Sequence, residues 1–192
     1  MGYLSDEQIN EIMNEVELQS IMNVNDTLFV DFDSKIPEYN DFLSVADKYD
    51  QWNISRTHFL YHKNTKELLG YMTLSTDSIK LTNDEKMLHN ISDVPFASIP
   101  ALKVGKLAIN KNLSNCSKRK GYGSFLLEMA RAFAYSLNAS GIACKFITVD
   151  ADIEYDEKTT DFYIKNGFVE NLANRSRNAR HTVSMRLDIF HE

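Results

Sequence analysis

Apolar residues recur at intervals of three and four near the start of the chain. Ile9, Ile12, Met13 and Val16 share one helical face behind a Ser5 and Gln8 capping pair. Thr27–Phe32 then reads as a strand. Pro37 opens a second helical stretch with Tyr39, Phe42, Leu43, Ala46 and Tyr49 on one side. His58–His62 and Leu68–Leu74 alternate around the turn Lys63–Lys66, which predicts a hairpin. An apolar run, Val104–Ile109, predicts a strand, and Leu126, Met129, Phe133 and Leu137 predict a helix. Lys145–Asp150 reads as a strand and Thr159–Asn166 as a short helix stopped by Gly167. Phe168–Val169 and Thr182–Leu187 read as closing strands.

Between Thr76 and Pro100 the pattern lapses, apart from a short helix that Thr82 and Glu85 would cap. So long a connection, leading into the strand at Val104, is either a cover over a functional site or a plain surface excursion. The 192 residues suffice for one domain, residues 1–192, of the α+β class. The expected architecture is a mixed, mostly antiparallel, twisted sheet of about six to seven strands flanked by helices.

Composition narrows the function. With 43% hydrophobic residues the chain folds, and its net charge of -6 and pI near 5.4 argue against general affinity for nucleic acid or anionic membrane. Cys116 and Cys144 lack the number and spacing of a disulfide framework or a zinc site. His58 and His62 share a strand face without a third ligand, so they read as surface or packing residues, and no metal is expected. No apolar run is long enough for a membrane span, and the acidic N-terminus does not read as a signal peptide. A cytoplasmic protein is expected.

The most informative stretch is Lys118-Arg119-Lys120-Gly121-Tyr122-Gly123-Ser124, between a strand and a helix. Helix N-termini present unpaired N–H groups and a partial positive charge. Gly121 and Gly123 permit close approach of a ligand, and three basic residues flank them. A phosphate-bearing ligand is expected, although such a stretch also serves as a simple tight turn. The triphosphate-binding loop spacing is absent, and Leu126 stands where the dinucleotide fingerprint needs glycine.

Two motifs make the chain resemble the Gcn5-related N-acetyltransferases over nearly its whole length. Lys118-x-x-Gly121-Tyr122-Gly123 is similar to that family's Gln/Arg-x-x-Gly-x-Gly/Ala cofactor loop, with lysine in place of the planar donor. Asp156-x-x-Thr159-x-x-Phe162-Tyr163, followed by Lys165-Asn166-Gly167-Phe168, is similar to its second motif, with Asp156 and Thr159 departing from the usual Asn and Ala. Val104–Ile109, Phe146–Ala151 and Asp161-Phe162-Tyr163 are similar to the acetyltransferase toxins that modify aminoacyl-tRNA.

The resemblance implies acetyl-CoA as cosubstrate and a sheet splayed at the strand before the glycine loop. Lys118, Arg119, Lys120, Gly121, Tyr122, Gly123 and Ser124 would hold the pyrophosphate. Leu107, Ala108 and Ile109 would pair with the pantetheine amides, and Asp156 would stand near the cofactor arm. Tyr163 occupies the general-acid position, with plain packing as the other reading. The acceptor is an amine of a small molecule, a protein or an aminoacyl-tRNA; a CoA-binding module without catalysis is the contrasting class. Asp150, Asp152 and the acids from Glu154 to Glu157 are candidates for a base, none singled out. Arg175, Arg177, Arg180 and His181 form a basic segment for phosphate or a solvated loop. A homodimer through strand edges is the family default.

Overall fold

Ser5 starts the first helix by the device its spacing predicts. Its hydroxyl accepts the Gln8 N–H at 3.3 Å, and Gln8 Oε1 accepts the Ser5 N–H at 2.9 Å. The computed structural model describes residues 4–21, 31–174 and 181–190. In it α1 spans Asp6–Glu15 and ends one residue before Val16. Val16 instead opens β1, Val16–Ser20, paired antiparallel with β2, Arg56–His62. Val16 fits a period of two with Leu18 as well as a period of three and four with Ile12 and Met13. The hydrogen bonds from β2 decide between the two readings.

The strand predicted over Thr27–Phe32 falls largely outside the described residues. The second helical stretch breaks into α2, Pro37–Asp41, a 3-10 turn at Phe42–Ser44, and α3, Ala46–Gln51. The break lies at β-branched Val45, whose φ of -125° and ψ of -1° leave the helical region. The face still packs: Phe42, Leu43 and Ala46 join Phe59, Tyr61, Tyr71 and Ala108 in one buried cluster.

β3 runs over Leu68–Lys80, beyond the predicted end at Leu74. Ser75 to Ser78 carry turn-forming side chains, but Ile79 and Leu81 beyond them are buried with Ile99, Ala101 and Phe146. The connection is correspondingly shorter. It contains α4, Asn83–Leu88, with the Thr82 and Glu85 capping box, and β4 starts early, at Ser98–Ile109. Then follow α5 (Tyr122–Ala139), β5 (Phe146–Asp152), α6 (Thr159–Lys165), β6 (Val169–Glu170) and β7 (Thr182–Asp188).

Strand order is β1-β2-β3-β4-β5-β7-β6, an open seven-stranded sheet in an α+β fold with six α-helices among the described residues. The pairs β1/β2, β2/β3, β5/β7 and β6/β7 are antiparallel. The chain forms two compact units, one of residues 4–75 and 104–128, the other of residues 1–3, 76–103 and 129–192. The first contains the glycine loop; the second contains Tyr163.

Candidate functional site

In the first unit the strand before the loop is shaped by two glycines. A Cβ on Gly70 of β3 would stand 2.6 Å from the Ala108 carbonyl oxygen and 2.7 Å from Ile109 Cδ1, so glycine lets β3 close on β4. A Cβ on Gly105 would stand 3.0 Å from Thr73 Oγ1, the hydroxyl that accepts the Lys106 N–H at 2.8 Å. Ala108 is buried, while Leu107 and Ile109 are half-buried. Asn110 follows them: its N–H donates to the Leu69 carbonyl at 2.8 Å. Its side-chain amide donates to the Leu68 carbonyl and accepts the Asn112 N–H.

The loop itself hangs from Glu67. This carboxylate accepts the Ser114 N–H at 2.9 Å, the Ser114 hydroxyl at 2.6 Å and the Ser117 hydroxyl. Partial burial pushes the Glu67 pKa up, but the serine donors outweigh it and bring it down to about 2. Sequence reasoning missed Glu67, since nothing local links a hairpin-turn acid to serines so far along the chain.

Tyr122, between the two glycines, is a core residue. It is 2% exposed, and its hydroxyl donates to the Ser117 carbonyl at 2.9 Å. Burial raises its pKa. Gly121 has φ of +104°, where a Cβ would also come within 3.2 Å of Leu4 Cδ2. Its carbonyl accepts the Phe125 N–H at 2.9 Å, the first helical bond of α5. The N–H groups of Tyr122, Gly123 and Ser124 thus belong to the first turn, where a helix has no internal acceptors for them. Ser124 is buried and Gly123 half-buried.

The three basic residues are not equivalent. Arg119 reaches Glu11 at 2.5 Å and Glu15 at 3.1 Å on α1. Burial lowers its pKa, but the two carboxylates outweigh that and raise it. Its guanidinium therefore secures α1 to the loop, leaving the main chain for a ligand. Lys118 and Lys120 are exposed.

In the second unit Gly167 ends α6 with φ of +85°. The Phe168 N–H donates to the Tyr163 carbonyl and the Gly167 N–H to the Ile164 carbonyl, both at 3.0 Å. These two bonds define a Schellman cap, which brings the residue after the glycine over the third residue from the helix end. Accordingly the Phe168 ring meets the Tyr163 ring edge-on at 5.4 Å, and Phe162 meets it at 5.1 Å. Tyr163 is 8% exposed. The Gly-Phe after the tyrosine is the part of the motif that sets its ring.

Asp156 heads the same helix. Its Oδ1 accepts the Lys158 N–H at 2.9 Å, and its carbonyl accepts the Thr159 N–H and hydroxyl at 3.0 and 2.7 Å. The side chain is turned onto its own backbone. Of the candidate bases, Asp150 pairs with Lys103 at 2.5 Å and Asp152 accepts the Glu154 N–H at 3.0 Å. Arg175, Arg177 and Arg180 lie outside the described residues; exposed His181 stands 3.5 Å from Glu154. Among the described residues no group of three or more His, Cys, Asp or Glu could hold a metal, and no helix is long and apolar enough to cross a membrane.

A second cluster went unread in the sequence. Arg186 of β7 donates to Glu85 of α4 at 2.6 Å, with side-chain exposures of 3% and 1%. His89 lies between Asp188, at 2.9 Å from Nδ1, and Arg186 Nε, which donates to Nε2 at 3.2 Å. Lys145 joins Asp188 at 2.8 Å. This network ties α4 to β7.

The strand order, the glycine loop opening α5 and the short helix bearing Phe162 and Tyr163 define the Gcn5-related N-acetyltransferase fold. Among solved structures that share it, a Tyr→Phe variant of KacT is 22% identical and similar over 90% of this chain and 95% of its own, with a TM-score of 0.66. AtaT complexed with acetyl-methionyl-tRNAfMet is 22% identical over 88% of this chain and 94% of its own, with a TM-score of 0.67. AtaTR bound with AcCoA is 20% identical over 91% and 95%, with a TM-score of 0.65. No family model matches the chain, and no curated protein does.

Proposed function

We propose that the protein is an acetyl-CoA-dependent N-acetyltransferase whose acceptor is the amine of an aminoacyl-tRNA. The observation that carries the first half is the start of α5. Left-handed Gly121 and buried Tyr122 set the first-turn N–H groups beside two exposed lysines, an arrangement suited to a pyrophosphate. The second half is supported by AtaT, solved with acetyl-methionyl-tRNAfMet on the same fold.

Acetyl-CoA would supply an acetyl group activated as a thioester. Main-chain N–H groups from Arg119 to Ser124 hold its phosphates, with Lys118 and Lys120 adding charge, and Leu107, Ala108 and Ile109 offer main-chain partners to the arm. The side chain of Asp156 is committed to its own turn, so it contributes through the start of α6. The acceptor amine forms the new C–N bond as the C–S bond breaks, and Tyr163 gives its phenolic proton to the departing sulfur. Tyrosine at pKa ~10 is a weaker acid than a thiol near ~8.5, so complete transfer is uphill by about 2 kcal/mol, tolerable within a concerted step. The amine loses its proton to solvent, and the Tyr163 phenolate takes one back from solvent.

Calorimetry with acetyl-CoA on wild type and Gly123→Asp, followed by thiol release with simple amines and with charged tRNA, tests this. Wild type should bind, the aspartate variant should not, and charged tRNA should release thiol. Absence of binding by wild type overturns the loop assignment; binding without release favours a CoA-binding module. The homodimer expected from the resemblance belongs to the same reading, and light scattering checks it.

A further inference from the structure

Lys106 lies on β4 immediately before Leu107, Ala108 and Ile109. Its ammonium stands 4.6 Å from the centroid of the Tyr39 ring and 5.5 Å from that of Phe42. Both residues are tied to Tyr71: the Tyr39 carbonyl accepts the Tyr71 hydroxyl at 2.6 Å, and the Phe42 ring stacks on that of Tyr71 at 5.9 Å. The Lys106 main chain is held by Thr73. Half-buried Lys103 and Lys145 each face a carboxylate, and buried Lys86 donates to the Val94 carbonyl. Half-buried Lys106 has no carboxylate within ion-pair distance among the described residues, only aromatic faces.

Aromatic faces hold an ammonium in place without neutralising it. The donors turned away from the rings then suit an anion. A chain of net charge -6 also needs local cations wherever a polyanion must approach. We propose that Lys106 recognises the acceptor by binding a phosphate of an RNA 3′ end. This rests on the acetyltransferase reading above. Tyr39 and Phe42 are positioning residues that aim the ammonium, and Lys106 is the one that touches substrate.

The test compares wild type with Lys106→Met, Lys106→Gln and Lys106→Arg. Anisotropy measures affinity for a labelled single-stranded RNA ending in CCA over a salt series. Calorimetry measures acetyl-CoA binding, and thiol release is followed with methionyl-tRNA and with methionine methyl ester, which lacks phosphate. Lys106→Met and Lys106→Gln should weaken RNA binding roughly tenfold or more, as for loss of a charge-assisted hydrogen bond. They should also flatten the slope of log Kd on log salt by about 0.7. Lys106→Arg should restore most of both, acetyl-CoA binding should hold, and kcat/KM should fall more with tRNA than with the ester. Unchanged RNA affinity and slope, or equal losses on tRNA and ester, overturns the proposal. If wild type binds RNA yet releases no thiol with any acceptor, the enzyme reading fails while anisotropy still decides the role of Lys106.

Discussion

Phe168 holds Tyr163 at both its main chain and its ring: the Phe168 N–H donates to the Tyr163 carbonyl at 3.0 Å, and the two rings meet edge-on at 5.4 Å. Position and chemistry of the phenol should therefore separate on mutation. Phe168→Ala should cost about 3–5 kcal/mol of stability, as large-to-small core changes do, and lower thiol release through misplacement. Tyr163→Phe should cost only about 0.5–1.5 kcal/mol, that of one hydrogen bond. Its thiol release should nonetheless fall by about 100-fold or more, the scale of a lost general acid. Urea denaturation beside single-turnover thiol release reads both. Equal turnover of wild type and Tyr163→Phe would leave the phenol a packing role only.

Glycines at two points hold the strand before the loop, and the loop itself, in place. Gly70→Ala puts a methyl 2.6 Å from the Ala108 carbonyl, so β4 must move away from β3. An overpacking cost of about 1–3 kcal/mol is expected, together with weaker acetyl-CoA binding. Gly121→Ala meets strain at φ of +104° as well as Leu4, for about 1–3 kcal/mol. Thermal melts with and without acetyl-CoA check this. The ligand-induced rise in Tm should shrink in both variants.

The basic residues of the loop should divide by partner. Arg119→Ala breaks contacts to Glu11 and Glu15, so it should loosen α1 and lower Tm more than it weakens acetyl-CoA. Lys118→Ala with Lys120→Ala should leave Tm close to wild type but weaken acetyl-CoA and flatten the salt dependence of binding. Calorimetry at two ionic strengths distinguishes them. The opposite division would return Arg119's guanidinium to the phosphate site.

Stability should fall in two stages as pH drops. Burial is the chief cause lowering the His89 pKa below its ordinary 6.5; Arg186 and Lys145 add to this, and Asp188 opposes it. Arg186 Nε donates to His89 Nε2, so the folded ring is neutral with its proton on Nδ1, despite the ion-pair distance to Asp188. A depressed pKa means the unfolded chain takes up this proton first. The His89 contribution is full above about pH 6.5 and is lost progressively as pH falls toward the folded pKa. For Asp188 and Glu85 burial pushes the pKa up, but hydrogen bonds and nearby Lys145 and Arg186 outweigh it and hold both below the ordinary carboxylate range. Their contributions are lost only below about pH 4.5. Urea midpoints from pH 8 to about pH 2 should show both stages, and His89→Gln should shrink the first, leaving the share of half-buried His58, whose pKa burial also lowers. A midpoint independent of pH between 7 and 5 would contradict the neutral assignment.

Some features of this protein follow from signals acting over a few residues, and these the sequence alone determined. Ser5 with Gln8 and Thr82 with Glu85 form their capping boxes wherever the chain places them, because donor and acceptor lie within one turn. Gly121 and Gly167 mark helix boundaries because glycine alone tolerates their positive φ without strain. Hence the glycine loop and the helix bearing Tyr163 were legible before any tertiary contact. What the tertiary structure decided was every choice of partner across a long separation. Val16 is strand because β2 supplies its hydrogen bonds, and β3 continues to Lys80 because Ile79 finds Phe146. Arg119 turns to α1, Glu67 gathers Ser114 and Ser117, and Arg186 finds Glu85. In each case periodicity or charge left two answers open. Only burial and the need to pair polar groups once buried selected one.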